Sequence, residues 1–239
     1  MPTWTAKDLE IKPITRAAAD RVIINGHYSG KVVKNAQVHL GVFLAGRLRG
    51  AMQFGPPMDR SKVLGLVKDA PWESVLELNR MWLADDLPRN GESRAIGVAC
   101  RLLVKHAPQV KWVISFADGT QCGDGTIYRA AGFVLTQIKE SDGIAKYANG
   151  KSFHRVAREG HPTAPIPEIG GRSYFDVTGG RYDFTGFCKA VGATIVPGYQ
   201  FQYIRFLDPT WRARLTVPEI PFSEIPAGAR MIYGQRVGP

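Results

Sequence analysis

The stretch Val75-Leu76-Glu77-Leu78-Asn79-Arg80-Met81-Trp82-Leu83, followed through to Tyr128-Arg129-Ala130-Ala131-Gly132-Phe133, decides the fold. Apolar side chains at Val75, Leu76, Leu78, Met81 and Leu83 alternate well enough for a strand. Pro88-Arg89-Asn90-Gly91-Glu92 is a loop, and Glu92 or Ser93 opens a helix running to His106. Ile96, Ala99, Cys100, Leu103 and Val104 lie on one face of that helix, with Arg94, Arg101 and Lys105 opposite. Trp112–Ala117 is a nearly continuous apolar run, the pattern of a central strand covered on both faces, and Asp118-Gly119 ends it. Gly123–Ala131 reads as a short helix closed by Gly132, and Phe133–Ile138 as the next strand.

Upstream, Leu9–Ile14 reads as a strand and Thr15–Asn25 as a helix with Thr15 as its N-cap, ending at Gly26. Val38–Leu44 and Leu48–Phe54 flank Ala45-Gly46-Arg47, a hairpin signature. Downstream of Glu140 the chain is rich in Gly and Pro, with periodic elements only at Asp183–Val191 (helix) and Tyr199–Leu207 (strand). The expected fold is α+β in three layers: a mixed central sheet flanked by helices, with an irregular C-terminal elaboration. Residues 1–139 form the expected core and 140–239 an extension of the same compact domain.

Hydrophobic residues make up 44% of the 239, enough for a buried core. No apolar run reaches the ~20 residues of a membrane helix, and residues 1–15 carry no apolar core of a secretory signal. Three cysteines without metal-type spacing suit reduced thiols in a cytoplasm. The net charge of +10 is spread along the chain and favours a polyanionic partner.

The unit from Val75 to Phe133 resembles the core of the GNAT acyltransferase superfamily, in which a splayed strand, a loop and a helix N-terminus cradle a phosphorylated donor. The segment Tyr128-Arg129-Ala130-Ala131-Gly132-Phe133 matches that fold's aromatic-x-x-x-Gly-Phe turn. Its pyrophosphate loop is not reproduced by Arg89-Asn90-Gly91-Glu92-Ser93-Arg94-Ala95, where Glu92 brings a negative charge. A narrower resemblance lies in His27-Tyr28-Ser29, Glu77–Trp82, Gly91-Glu92-Ser93, Ser115–Asp118, Gly125–Ala130 and Tyr203–Leu207, with Pro218–Phe222 beyond. In order and spacing these look like the Mom family of phage proteins. That resemblance implies conversion of adenine in phage double-stranded DNA to N6-(carbamoylmethyl)adenine, protecting it from restriction in the cytoplasm of the bacterial host.

On this resemblance His27, Tyr28, Arg80, Asp118 and Tyr128 are catalytic, and Gly91, Glu92, Ser93 and Arg94 face the donor. Ser29, Trp82, Phe153 and Arg155 contact the substrate. The residues themselves leave structural readings open. A mid-strand Arg80 must be paired or face a polar cleft, so an ion pair with Glu77 or Asp85 also fits. Asp118 lies where open sheets place ligands, yet Asp-Gly is also a simple turn. A phenol of pKa about 10 lets Tyr128 act as a general acid, or it packs as a helix aromatic. His27 can cap its helix, act as a base or ligate iron, and Ser93 can cap the next helix.

The modified base must be flipped from the duplex and held against apolar or aromatic side chains. Tyr28, Trp82, Tyr147, Phe153, Tyr174 and Tyr182 are the aromatic candidates, with Arg155, Arg172, Arg181 and Arg205 for phosphates. The added group carries an amide that plain acetyl transfer does not deliver. Acetyl-CoA with iron and glycyl-tRNA both stay open as donors.

Overall fold

The computed structural model describes residues 4–27, 29–119, 123–226, 231–232 and 235–236. Tyr28, named above as catalytic, lies outside them. The chain divides into two compact units: Met1–Ala117, Gln121–Ile138 and Phe201–Pro239 in the first, Asp118–Thr120 and Lys139–Gln200 in the second. The long segment of the second unit, Lys139–Gln200, lies almost wholly within the expected extension 140–239, while Phe201–Pro239 belongs to the first unit.

The first unit opens with β1 (Glu10–Pro13) and α1 (Arg16–Gly26), whose N-terminus is capped by the Thr15 side chain accepting from the Ala18 N–H. Strands β2 (Val38–Leu44) and β3 (Arg47–Gly55) form a hairpin. Ala45 at φ 50 and Gly46 at φ 74 give the two-residue turn whose twist suits paired strands. After the short α2 (Arg60–Val63) comes β4 (Val75–Leu83), with both ends as expected from sequence. Then follow α3 (Gly91–His106), β5 (Trp112–Asp118), α4 (Thr126–Ala130) and β6 (Val134–Lys146). The helix expected over Gly123–Ala131 shrinks to five residues because Gly123 and Gly125 take φ of 69 and 75.

In the second unit lie β7 (Ser152–His154), α5 (Arg155–Glu159), α6 (Tyr174–Thr178) and α7 (Phe184–Ala190). They precede β8 (Thr194–Phe206). The hydrogen-bonded strand order is β1-β2-β3-β4-β5-β8-β6-β7, and Met231–Ile232 (β9) pairs separately with Gln235–Arg236 (β10). This is a mixed sheet with flanking helices, an α+β fold. No helix among the described residues is long and apolar enough to cross a membrane.

Two irregularities around β4 shape the sheet. Gln53 pairs with Arg80 but Phe54 with Leu78, so Asn79 is left as an extra residue, a β-bulge. On the other side β4 runs parallel to β5 over Val75↔Trp112, Leu76↔Val113 and Glu77↔Ile114. That ladder then ends although β4 continues to Leu83 and β5 to Asp118. The two central strands part just beyond Glu77.

Strand periodicity assigns the faces. Trp82 packs with Ala51 under Ala19 and Ile23 of α1, so Gln53 and Arg80 share the α1 face with them. On β4, Val75 and Glu77 lie on that face, and their registered partners Trp112 and Ile114 do too. Val63, Val67 and Ile204 cover the Val75–Trp112–Ile114 patch, with Trp211 and Leu215 packed against it.

The second unit has its own aromatic core of Tyr147, Phe153, Ile166, Tyr174, Phe184 and Phe187. α5 and α6 have five residues each, too short for periodicity to reveal, whereas α7 falls inside the helix expected over Asp183–Val191. Side-chain caps hold two of them: Ser173 with Asp176 as a capping box, and Asp183 accepting from the Gly186 N–H.

Candidate active site

The α1 face of β4 carries Glu77 and Arg80. Arg80 donates from Nε to the Lys31 carbonyl at 3.3 Å and from Nη1 to the Asn79 carbonyl at 2.7 Å. Neither Glu77 nor Asp85 forms an ion pair with it among the described salt bridges, so the structural ion pair weighed from sequence is not the arrangement. Arg80 instead ties the segment after α1 to the bulge and leaves further N–H donors for a ligand.

His27 follows α1, and its backbone N–H closes that helix on the Ile23 carbonyl at 2.9 Å. The Ser29 N–H donates to His27 Nδ1 at 3.1 Å, with the Ser29 hydroxyl 2.8 Å from the same nitrogen. A backbone N–H can only donate, so Nδ1 is an acceptor and the proton of the neutral ring sits on Nε2. Burial, and then the Arg80 charge, hold the imidazole down at about 4. His27 is therefore a neutral Nε2–H donor across the physiological range. Ligating iron through Nε2 would require moving that proton to Nδ1, against the Ser29 N–H. Among the described residues no three of His, Cys, Asp and Glu come together as a metal set. The residues present do not fit an iron site at His27.

This has a measurable consequence. The native state protonates His27 near pH 4 and an ordinary histidine protonates near 6.5. Between those values the unfolded chain binds the extra proton, so stability is full above pH 6.5 and falls as pH drops toward 4. Allowing for partial exposure, the loss is on the order of 2 kcal/mol. Urea unfolding at pH 7 and pH 4.5 should show the wild type losing that much more than His27→Asn. Equal losses would place the depressed imidazole elsewhere.

Glu77 is 8% exposed and its Oε2 accepts from the Met58 N–H at 3.1 Å. Burial pushes its carboxyl up, while the Met58 N–H, the Asn79 amide and the Arg80 charge pull it back. Asn79 is 5% exposed, and neither its amide oxygen nor its nitrogen makes a fully formed hydrogen bond among the described residues.

At the start of α3 the sequence expectation needs correcting. The helix begins at Gly91, not Glu92 or Ser93, and its N-cap is Asn90 at φ 65 with no side-chain cap. The Ser93 hydroxyl donates to the Asn90 carbonyl at 3.2 Å, so Ser93 does not cap. Gly91 is buried against Leu9 and Leu87, and Arg94 is exposed. The Gly91 N–H goes to Pro88 and the Arg94 N–H to Asn90, while Glu92 and Ser93 follow with their N–H groups at the positive helix end. Glu92 reaches solvent, yet surrounding protein and then Asp85 push its carboxyl up.

Tyr128 is 8% exposed in α4, stacked on Tyr203 at 5.2 Å and edge-on to Phe133 at 5.4 Å. Tyr203 is anchored by its hydroxyl to the Asp124 carbonyl. Asp118 is the last residue of β5, half-buried, in the second unit.

Three substrate-contact expectations meet packing instead. Trp82 lies against the Gly26 backbone, where an added Cβ would come within 2.2 Å of its ring. Phe153 is stacked on Tyr147 at 4.2 Å inside the second unit's core. Arg155 pairs with Glu159 at 2.9 Å. Tyr147 and Tyr174 are core residues as well, at 5% and 0% exposure. The aromatic that sequence passed over is Phe116: a central-strand run reads as buried, but Phe116 is 36% exposed.

The family model described as the Mom protein family matches residues 8–224. The methylcarbamoylase Mom of Escherichia phage Mu is 33% identical over 219 residues, covering 89% of this chain and 81% of that protein. Solved structures of similar outline include a Vibrio cholerae spermidine/spermine N-acetyltransferase, at TM-score 0.46 and 10% identity, over 87% of this chain and 98% of that one. A GNAT family acetyltransferase from Elizabethkingia anophelis follows at TM-score 0.38 and 11% identity, over 83% and 98%. At these scores the outlines are alike and nothing about the site follows from them. The sequence match, continuous across both units, does carry weight: the chain belongs to the Mom protein family.

Proposed function

We propose that this chain is a DNA-modifying transferase that converts adenine in phage double-stranded DNA to N6-(carbamoylmethyl)adenine, acting in the bacterial cytoplasm against restriction. The observation that carries this reading is the 33% identity to a methylcarbamoylase across nearly the whole chain. Charge supports a nucleic-acid substrate and favours the first unit as the one that meets it. The first unit holds 23 Lys and Arg against 14 Asp and Glu, the second 8 against 7. Phosphates are drawn to the first unit, in place of the second-unit arginines Arg155, Arg172 and Arg181.

In this reading the adenine N6 lone pair attacks the donor's acyl carbon. Arg80 and the His27 Nε2–H stabilise the oxyanion and Tyr128 protonates the departing thiolate or ribose oxygen, while the role of taking the N6 proton falls to Asp118 on the family resemblance alone. Tyr28, catalytic on the family resemblance, lies outside the described residues. The donor is an acyl compound; a CoA thioester such as acetyl-CoA would leave N6-acetyladenine without the amide nitrogen, whereas glycyl-tRNA carries every atom of the added group. With a glycyl donor the product amide carries a free amine, which attacks C6 through a five-membered ring. The C6–N6 bond then breaks and the old N6 leaves as the carboxamide, so atoms balance without an oxidant. Growth on ¹⁵N-glycine then labels the amine attached to C6, and an unlabelled amine would rule that donor out.

Plasmid from cells expressing the chain should resist endonucleases whose sites contain adenine. Cutting at the rate of control plasmid would reject the proposed function.

A further inference from the structure

From Arg21 to Met58 the chain carries five Lys and Arg and no Asp or Glu. The run ends on Met58, 70% exposed and the most exposed large apolar side chain of the first unit among the described residues. A lone exposed methionine is ordinary. The backbone that carries this one is not. Pro56 and Pro57 fix φ on the way into it. The Asn35 amide donates to the Pro56 carbonyl at 2.8 Å, and the Met58 N–H donates to Glu77 Oε2 at 3.1 Å. Asp59 then caps α2 by accepting from the Lys62 N–H. The apolar tip stands on a chain fastened before it, at it and after it.

The same contacts place the tip by the proposed site. Glu77, which holds Met58, shares the α1 face of β4 with Arg80. Arg80 holds the Lys31 carbonyl at 3.3 Å, and Arg16 holds the Lys34 and Ala36 carbonyls at 3.0 and 2.5 Å. That segment lies along Gly55, where an added Cβ would come within 2.5 Å of the Asn35 carbonyl oxygen. Lys31 and Lys34 are exposed, and neither side chain forms an ion pair among the described residues. Asp59 is neutralised by Lys62 at 2.6 Å.

We infer that Met58 is the wedge that fills the duplex stack when adenine is swung out, with Lys31 and Lys34 on the phosphates beside it. Extruding a base costs a few kcal/mol, and an apolar side chain pushed between base steps, Met among those used, holds the gap open. A wedge works only if its backbone does not yield, which the fastened chain ensures. Its unbranched side chain adapts to the base pairs on either side. Two unpaired ammonium groups beside an apolar tip complement a polyanion with a stacked interior, so the partner is duplex DNA. The inference rests on the adenine-modifying reading.

Two measurements separate it from that reading. The first is the fraction of modified adenine in plasmid from cells with limiting expression. It should fall about tenfold in Met58→Ala and hold in Met58→Leu. The second is binding of the purified full chain to a plasmid segment that the wild type modifies, offered as duplex and as single strand. Met58→Ala should weaken duplex binding about tenfold and leave single-strand binding unchanged, since a single strand needs no wedge. Lys31→Ala and Lys34→Ala should weaken both and lower the salt slope by about 1 each. The melting temperature of Met58→Ala should equal the wild type's, because the side chain is exposed. Unmodified adenine in the wild type overturns the proposed function and this inference with it. Modification by the wild type, matched by Met58→Ala in yield and duplex binding, overturns this inference alone.

Discussion

Arg80→Ala is expected to reduce modified adenine by about a hundredfold or more, the scale of losing a preorganised charge at a developing oxyanion. The expectation rests on three consequences of one side chain. Its two carbonyl contacts hold Lys31 and the bulge at Asn79, so truncation frees the segment after His27 and loosens the bulge. Its charge helps to keep His27 neutral, so the imidazole should drift back toward its ordinary value, and a protonation step should enter the pH profile above pH 4. Its remaining N–H groups stay available to a ligand. Arg80→Lys should rescue little, because one ammonium cannot hold two carbonyls and face a ligand in the same fork geometry. Nucleoside composition and the pH profile of the variants check this. Retention of wild-type yield by Arg80→Ala would remove Arg80 from the chemistry.

Gly26→Ala carries the second large effect, and it tests how packing sets the site. Within a helix the exchange ordinarily stabilises by about 1 kcal/mol. Here the added methyl would come within 2.2 Å of Trp82 Cδ2 and 2.3 Å of Cε2. That ring cannot retreat cheaply, since it is packed with Ala19, Ile23 and Ala51. Overpacking of about 1–3 kcal/mol should outweigh the helix gain. A net loss near 1–2 kcal/mol lowers Tm by about 2–8 °C in a chain of this size. Because His27 is the next residue, the displacement should also cost about tenfold in modification. Thermal melting and plasmid modification measured on the same variant check both. An unchanged Tm would show that Trp82 is free to move.

What the sequence made legible follows from its physics. The ends of β4 could be read because alternation there is uninterrupted and Trp72–Ser74 precedes it as a separate turn. The hairpin could be read because Ala45-Gly46 allows left-handed backbone. The start of α3 could not, because Asn90 adopts φ 65 without offering its side chain as a cap. Propensity says Asn tolerates that conformation, not that it will use it here. Of the proposed site, Arg80 and His27 could be singled out from sequence, and what joins them could not. A bulge at Asn79 and the parting of β4 from β5 are properties of pairing, which residues on one strand do not encode. For the same reason Phe116 looked buried: its run is apolar, and only the sheet shows that its cover ends early. Trp82, Phe153 and Arg155 erred in the other direction, as aromatic and basic residues whose partners come from tertiary packing.

The central claim is that this chain modifies adenine through the face of β4 that carries Arg80. Mass spectrometry of nucleosides from plasmid co-expressed with the wild type and with Arg80→Ala tests it most directly. The account predicts an adenine nucleoside heavier by about 57 Da, one carbamoylmethyl group on the exocyclic amine, in the wild type and its loss in the variant. Unmodified adenine in the wild type, or equal amounts of the heavier nucleoside in both, would contradict it.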